Sequence, residues 1–208
     1  MVETINLKKF EIRAFTSTFK DGLLDIFLGL ILLQFVIGPL LTDIGFSDFE
    51  ASAVFVPFYL IGLIFFMLIK KYVTKPRMGV VKPGPARKTK LWMVNVILFI
   101  VLLISFILGL IYTDNIPAMN SLFPFLFSIT VLVASFTAAY FLNLYRLFLY
   151  GILIAFAHLT GELLWSKGLV SHHGFPLMFG ILSFALVIFG LILFIRFLLT
   201  HPIPMEEN

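Results

Sequence analysis

The chain has 208 residues, 61% hydrophobic and 12% charged, with 26 Phe and a mean hydropathy of +1.08. A water-soluble domain carries about 25% charged residues, so too little polar surface exists here to coat a globule in water, and a bilayer is the solvent that removes the difficulty. The absence of cysteine excludes a disulfide framework, a thiolate metal site and a Cys nucleophile. The net charge of +4 does not point to nucleic acid, because no soluble module presents it.

Residues 1–20 carry Lys8, Lys9, Arg13 and Lys20 interleaved with Phe10, Ile12, Phe15 and Phe19. Phe15 and Phe19 are four apart and share a helical face, so this segment reads as a short cytoplasmic helix lying in the membrane interface. No small-x-small cleavage pattern follows the first apolar run, which is expected to stay and serve as its own insertion signal.

Six apolar runs follow, over about residues 23–41, 51–69, 91–112, 121–142, 147–165 and 175–199. Each is about 19–25 residues long and matches a hydrocarbon core of about 30 Å as a helix. Backbone polar groups in lipid are satisfied within the segment, which makes these runs helices. Residues 21–200 then form one transmembrane domain, followed by a polar tail at 201–208. The expected fold class is all-α: a polytopic bundle of six transmembrane helices.

Lys70–Lys90 joins the second and third runs and holds eight of the fifteen Lys and Arg residues with no acid. With this segment inside, fourteen of the fifteen bases fall on the cytoplasmic side and Lys167 alone outside. Both termini are then cytoplasmic, in a multi-pass cell-membrane protein. The turn Asn143–Arg146 is short; one long helix there would leave five spans and put Arg196 outside, so six are kept. Runs one to three and four to six enter from opposite sides, the geometry of an inverted repeat, although the halves share no residue pattern beyond Gly, Leu and Phe.

Polar residues within spans are the best pointers to chemistry, since each costs a few kcal/mol at mid-membrane. Asp21 and Asp25 are four apart at the inner end of the first span, with Arg146 and Arg196 at similar depth. They read as a structural ion pair, Asp25 with Arg146 or Arg196, or as a coupling carboxylate of a proton relay. His158 and Glu162 share a face of the fifth span near its outer end, with His172 and His173 in the loop beyond. They read as a polar helix end, or as a metal or proton site whose imidazole and carboxylate groups suit Zn or Fe. No nucleophile elbow, phosphate loop or dinucleotide fingerprint is present, which argues against an enzyme. No particular cofactor is implied.

Asp21-Gly22-Leu23 with Gly29, and Lys75-Pro76-Arg77-Met78-Gly79-Val80-Val81-Lys82, resemble small uncharacterised polytopic membrane proteins of prokaryotes. These share an Asp-Gly start to the first span and a Pro-Arg-x-Gly-x-Val loop after the second. The resemblance covers about the first 90 residues and implies no activity, only a role for the loop beyond topology. Pro76, Pro83 and Pro85 with Gly79 and Gly84 predict a shaped, non-helical loop, with Met78–Val81 extended. Its bases Lys75, Arg77, Lys82, Arg87 and Lys88 suit anionic lipid at the cytoplasmic face or a protein partner, and a homo-oligomer or a membrane partner is compatible with the bundle. Three functions fit: a small transporter- or channel-like bundle, a module binding lipid or a partner through this loop, and a membrane-embedded metal or haem oxidoreductase using His158, Glu162, His172 and His173.

Overall fold

Straight-chain, aliphatic and aromatic residues with no water to hydrogen-bond leave helix as the only open-chain solution, and the chain takes it. A computed structural model describes residues 15–78, 84–113 and 123–202. In chain order the helices are α1 (Leu23–Asp43), α2 (Asp48–Ala53), α3 (Phe55–Ile69), α4 (Lys75–Met78), α5 (Pro85–Thr113), α6 (Phe123–Leu142), α7 (Arg146–Ser166) and α8 (Phe175–Thr200). A π-helical turn, Lys70–Thr74, joins α3 to α4, and a 3-10 turn, His172–Gly174, precedes α8. Among the described residues, five helical stretches are long and apolar enough to cross a membrane: Leu23–Asp43, Phe49–Met78, Pro124–Leu142, Arg146–Ser166 and His172–Thr200. The chain is thus all-helical in its described parts and suited to a bilayer.

The helix ends follow local chemistry. Helix α1 stops at a Schellman cap: Gly45, at φ 100°, donates from its N–H to the Thr42 carbonyl, and Phe46 N–H reaches back to Leu41. The same pair of bonds ends α6, with Asn143 at φ 57° bonding to Tyr140 and Leu144 to Ala139. Leu144 and Ala139 are both buried, the apolar contact this motif favours. Helices α6 and α7 are therefore separate, although the turn between them is short. Gly168 ends α7 in the same way, bonding to Trp165 while Leu169 bonds to Leu164. Ser47 and Glu50 form a reciprocal capping box, so the second helical stretch begins at Asp48 rather than Ala51.

The expected loop after the second run is largely helix. Residues 70–78 continue α3 through the π turn into α4, and Pro85 opens α5 six residues before the expected start at Leu91. Lys and Arg are good helix formers. Pro85 suits a first helical turn, where its missing N–H costs nothing. Pro76 follows the π turn, whose wider ladder, with the Lys75 N–H bonded to the Lys70 carbonyl, ends the regular α pattern just before it. Arg77 Nη1 then donates to the Val73 carbonyl at 3.1 Å. The extended piece expected at Met78–Val81 is helical at Met78, and residues 79–83, with Gly79 and Lys82, lie outside the described residues.

Contacts divide the chain into two compact units. One joins α1 to α4 with α8; the other joins α5 to α7 with the His172–Gly174 turn. The units are not the first and second halves of the chain, so the halves that an inverted repeat would relate are not the units that pack.

In the first unit α1 and α8 run antiparallel at close range. Ser183 Oγ donates to the Gly29 carbonyl at 2.7 Å, and a Cβ on Gly29 would meet Val187 Cγ2 at 2.7 Å. Phe35 packs edge-on against Phe179 with centroids 5.3 Å apart, and Phe179 is buried. Small residues bringing backbones together are the main source of helix association where lipid is as apolar as leucine. Helix α3 has no buried residue, and its Leu60, Ile61, Ile64, Phe65 and Leu68 are exposed. Hydroxyls within helices bond to the carbonyl four back, as Thr130 does to Leu126, Ser135 to Val131 and Thr160 to Phe156, which satisfies them without water.

Candidate functional site

Among the described residues, each unit carries a cluster of ionisable groups. The first is built at the start of α1. Gly22, at φ 78°, turns the chain into the helix, and a Cβ there would lie 2.3 Å from the Gly190 carbonyl oxygen on α8. Only glycine accepts both the left-handed backbone and that contact. This turn holds Asp21 with 0% exposure, and Asp25, in the first turn of α1, is also at 0%. Asp21 Oδ1 accepts from the Leu23 N–H at 3.3 Å, a short bond back into the helix it precedes.

The other carboxylate oxygen receives the π turn. Lys70 Nζ lies 2.7 Å from Asp21 Oδ2, and Thr74 Oγ1 donates to the same oxygen at 2.8 Å. Lys70 and Thr74 are the first and last residues of the π turn, so the local widening delivers both partners of one carboxylate. Lys70 Nζ also donates to the Thr18 carbonyl. It faces two rings, Phe19 at 5.3 Å and Phe66 at 5.8 Å from the centroids, within cation–π range. Phe15 and Phe19 do pair on one face, with centroids 5.3 Å apart. Thus residues 15–20 cover the ammonium and carboxylate with backbone and aromatic surface.

The second cluster lies on α7 and the turn before α8. His173 Nδ1 is 2.9 Å from Glu162 Oε1, and its ring lies over Trp165 at 4.0 Å. The turn is backbone on backbone: a Cβ on Gly174 would lie 2.5 Å from Gly161 Cα. His172, His173 and Gly174 all have positive φ, at 47°, 54° and 70°. Left-handed backbone at two histidines is uncommon and persists where surroundings enforce it. His158, one turn before Glu162 on α7, is 2% exposed and packs on Phe127 at 4.4 Å.

Of His158, Glu162, His172 and His173, Glu162 and His173 meet as a carboxylate–imidazole pair, and His158 lies one turn before Glu162 on the same helix. Among the described residues no group of three or more His, Asp or Glu is arranged to hold a metal ion, so the four do not gather as a ligand set. Of the other expected residues, Asp25 is wholly buried, Arg146 opens α7 half-buried, and Arg196 is exposed on α8. Lys75 and Lys88 are exposed and Arg77 half-buried, all on helix, and Arg87 is helical. Lys70, Thr74 and Phe66 were not singled out by sequence. An acid among bases announces an ion pair, but Asp21 and Lys70 are 49 positions apart, and only the fold selects that base from the eight in residues 70–90.

No protein-family model, curated protein or solved structure matches the chain.

Proposed function

We propose that the chain is a six-span integral membrane protein of the cell membrane, with α5 as the sixth span and both termini cytoplasmic, and that it works as a small transporter- or channel-like bundle. Helix α5 is 29 residues long, and residues 91–112 within it are apolar. The fourteen-to-one placement of bases supports the orientation. The observation that carries the transport reading is the pair of carboxylates, Asp21 and Asp25, fully withdrawn from solvent at the mouth of an apolar helix, one held by a lysine from a distorted turn of another helix. Ionisable groups at such positions are costly and mark ion and proton routes.

The reading is tested by reconstituting the purified protein into liposomes and imposing a diffusion potential. Entry of protons, Na⁺ or K⁺ above that of protein-free vesicles is expected, falling at least about tenfold in Asp25→Asn, as the loss of an obligatory charge implies. Vesicles no leakier than empty ones to all three ions would defeat it.

A second reading, contact with anionic lipid at the cytoplasmic face, is favoured by one feature. Lys71 and Lys75 are exposed and four apart on helix that continues directly from the apolar surface of α3, so headgroup and acyl contacts line up on one element. Native mass spectrometry should find phosphatidylglycerol retained by the wild type and lost from Lys71→Gln/Lys75→Gln. Equal retention by both would remove this reading.

A further inference from the structure

We propose that the Lys70 ammonium is a tethered occupant of a binding site for a small monovalent cation, and that a free cation of that class takes its place when the side chain swings out. The proposal rests on the transport reading for its role but not for the binding itself.

The surroundings of Nζ make a cation site in their own right. Asp21 Oδ2 lies 2.7 Å away and the Thr18 carbonyl accepts from the ammonium. Phe19 and Phe66 present their rings at 5.3 and 5.8 Å. Oxygen acceptors and ring quadrupoles recognise positive charge and small size; none of them reads the lysine stem. The carboxylate oxygen of Asp21 already holds a group of one positive charge, the ammonium, and a free cation of the same charge replaces it without changing the balance. Thr74 Oγ1, at 2.8 Å from the same oxygen, holds Oδ2 in place and leaves the cage standing when the ammonium departs.

The tether is built to move. Asp21 is wholly buried, whereas the Lys70 side chain retains 15% exposure, so the ammonium has a way out that the carboxylate does not. Lys70 opens a π turn, where the regular ladder is already interrupted, and such turns recur at functional sites. A four-carbon stem lets the charge withdraw without moving the helix. Exchange conserves charge: one cation leaves the carboxylate as another arrives, so the buried Asp21 is never left as a lone anion.

Lys70→Ala empties the cage and is the variant to test. Its thermal unfolding in detergent is followed in NaCl, methylammonium chloride and choline chloride at equal ionic strength. Na⁺ or methylammonium should raise Tm by about 5–10 °C at a hundredfold excess over Kd. Choline, which has no N–H and is too large for the cage, should not. Adding Asp21→Asn should abolish the response. An equal response to all three salts would mean screening alone and would overturn the proposal.

If Lys70→Ala does not fold, the intact site decides. Phe19→Trp, in a Trp92→Phe/Trp165→Phe background, places an indole against the same cation. Its emission should change saturably with NaCl or methylammonium and stay flat with choline; a flat response to all three overturns the proposal. Cation-specific binding without flux would sustain the site and remove the transport reading. Flux without cation-specific binding would do the opposite.

Discussion

With choline as the only added cation, Lys70→Met should destabilise the protein by about 3–5 kcal/mol, because breaking a buried ion pair leaves the surviving charge without a counter-ion. Asp21 is at 0% exposure and would keep only the Thr74 hydroxyl and the Leu23 N–H among the partners described above. Asp21→Asn alone should cost less, since its amide oxygen still accepts one of those bonds, its NH2 can donate to the Thr74 hydroxyl and no buried anion is left, although Lys70 then loses its counter-ion. The double variant Asp21→Asn/Lys70→Met should recover most of the loss, since removing both charges at once avoids the penalty that each single change incurs. Unfolding in mixed detergent–SDS micelles measures all three. Strictly additive losses would show that Asp21 and Lys70 are neighbours without coupling.

Gly22→Ala should be comparably damaging, for reasons of shape rather than charge. The left-handed backbone at φ 78° costs about 1–2 kcal/mol for a residue with a Cβ. The added carbon would also sit 2.3 Å from the Gly190 carbonyl oxygen and 2.8 Å from Leu193 Cβ. Backbone cannot rotate away, so α1 and α8 must separate, at about a further 1–3 kcal/mol of overpacking. Gly29→Ala is the useful comparison. Its Cβ would meet Val187 Cγ2 at 2.7 Å and, less closely, the Ser183 carbonyl oxygen at 3.0 Å, and its backbone is already helical, so about 1–2 kcal/mol is expected. The recovered monodisperse fraction and the SDS midpoint should rank wild type above Gly29→Ala above Gly22→Ala. Equal midpoints for the two alanine variants would mean that the α1–α8 contact at Gly22 is looser than described.

These two effects meet at one place. Gly22 lets α1 begin against α8, and the residue before it delivers its carboxylate to the π turn after α3. Packing and charge thus converge where the first helix starts, and residues 15–20 cover the junction. The same local stretch that organises the α1–α8 contact also positions the ion pair.

Much of this was readable from residue order. Apolar runs bounded by Gly, Asn or Pro gave helices close to the observed ones, because in lipid the local rule and the global fold agree. Asn143 could be expected to break α6 from α7, and the Phe15–Phe19 spacing anticipated their contact. Residues 70–78 and 85–90 are helical despite their prolines, because Lys and Arg are good helix formers, and a π turn carries no sequence signature of its own. Asp21 was visible as an acid among bases, but its partner 49 residues away depends on where α3 packs. The Glu162–His173 pair was within reach of the sequence; the left-handed His172–His173–Gly174 turn that creates it was not, since histidine rarely adopts that backbone.

The side of the membrane at which the Asp21–Lys70 cluster lies is measurable without background in the cysteine-free chain. Single cysteines at Thr4→Cys, Val80→Cys, Asn115→Cys, Ser171→Cys and Asn208→Cys can be labelled in intact cells with a membrane-impermeant maleimide. Six spans with both termini cytoplasmic predict labelling at 115 and 171 only, with 4, 80 and 208 reacting after the cells are opened. Labelling of 208 together with protection of 171 would leave five spans. Labelling of 80 in intact cells would place the basic segment and its ion pair outside and contradict the account.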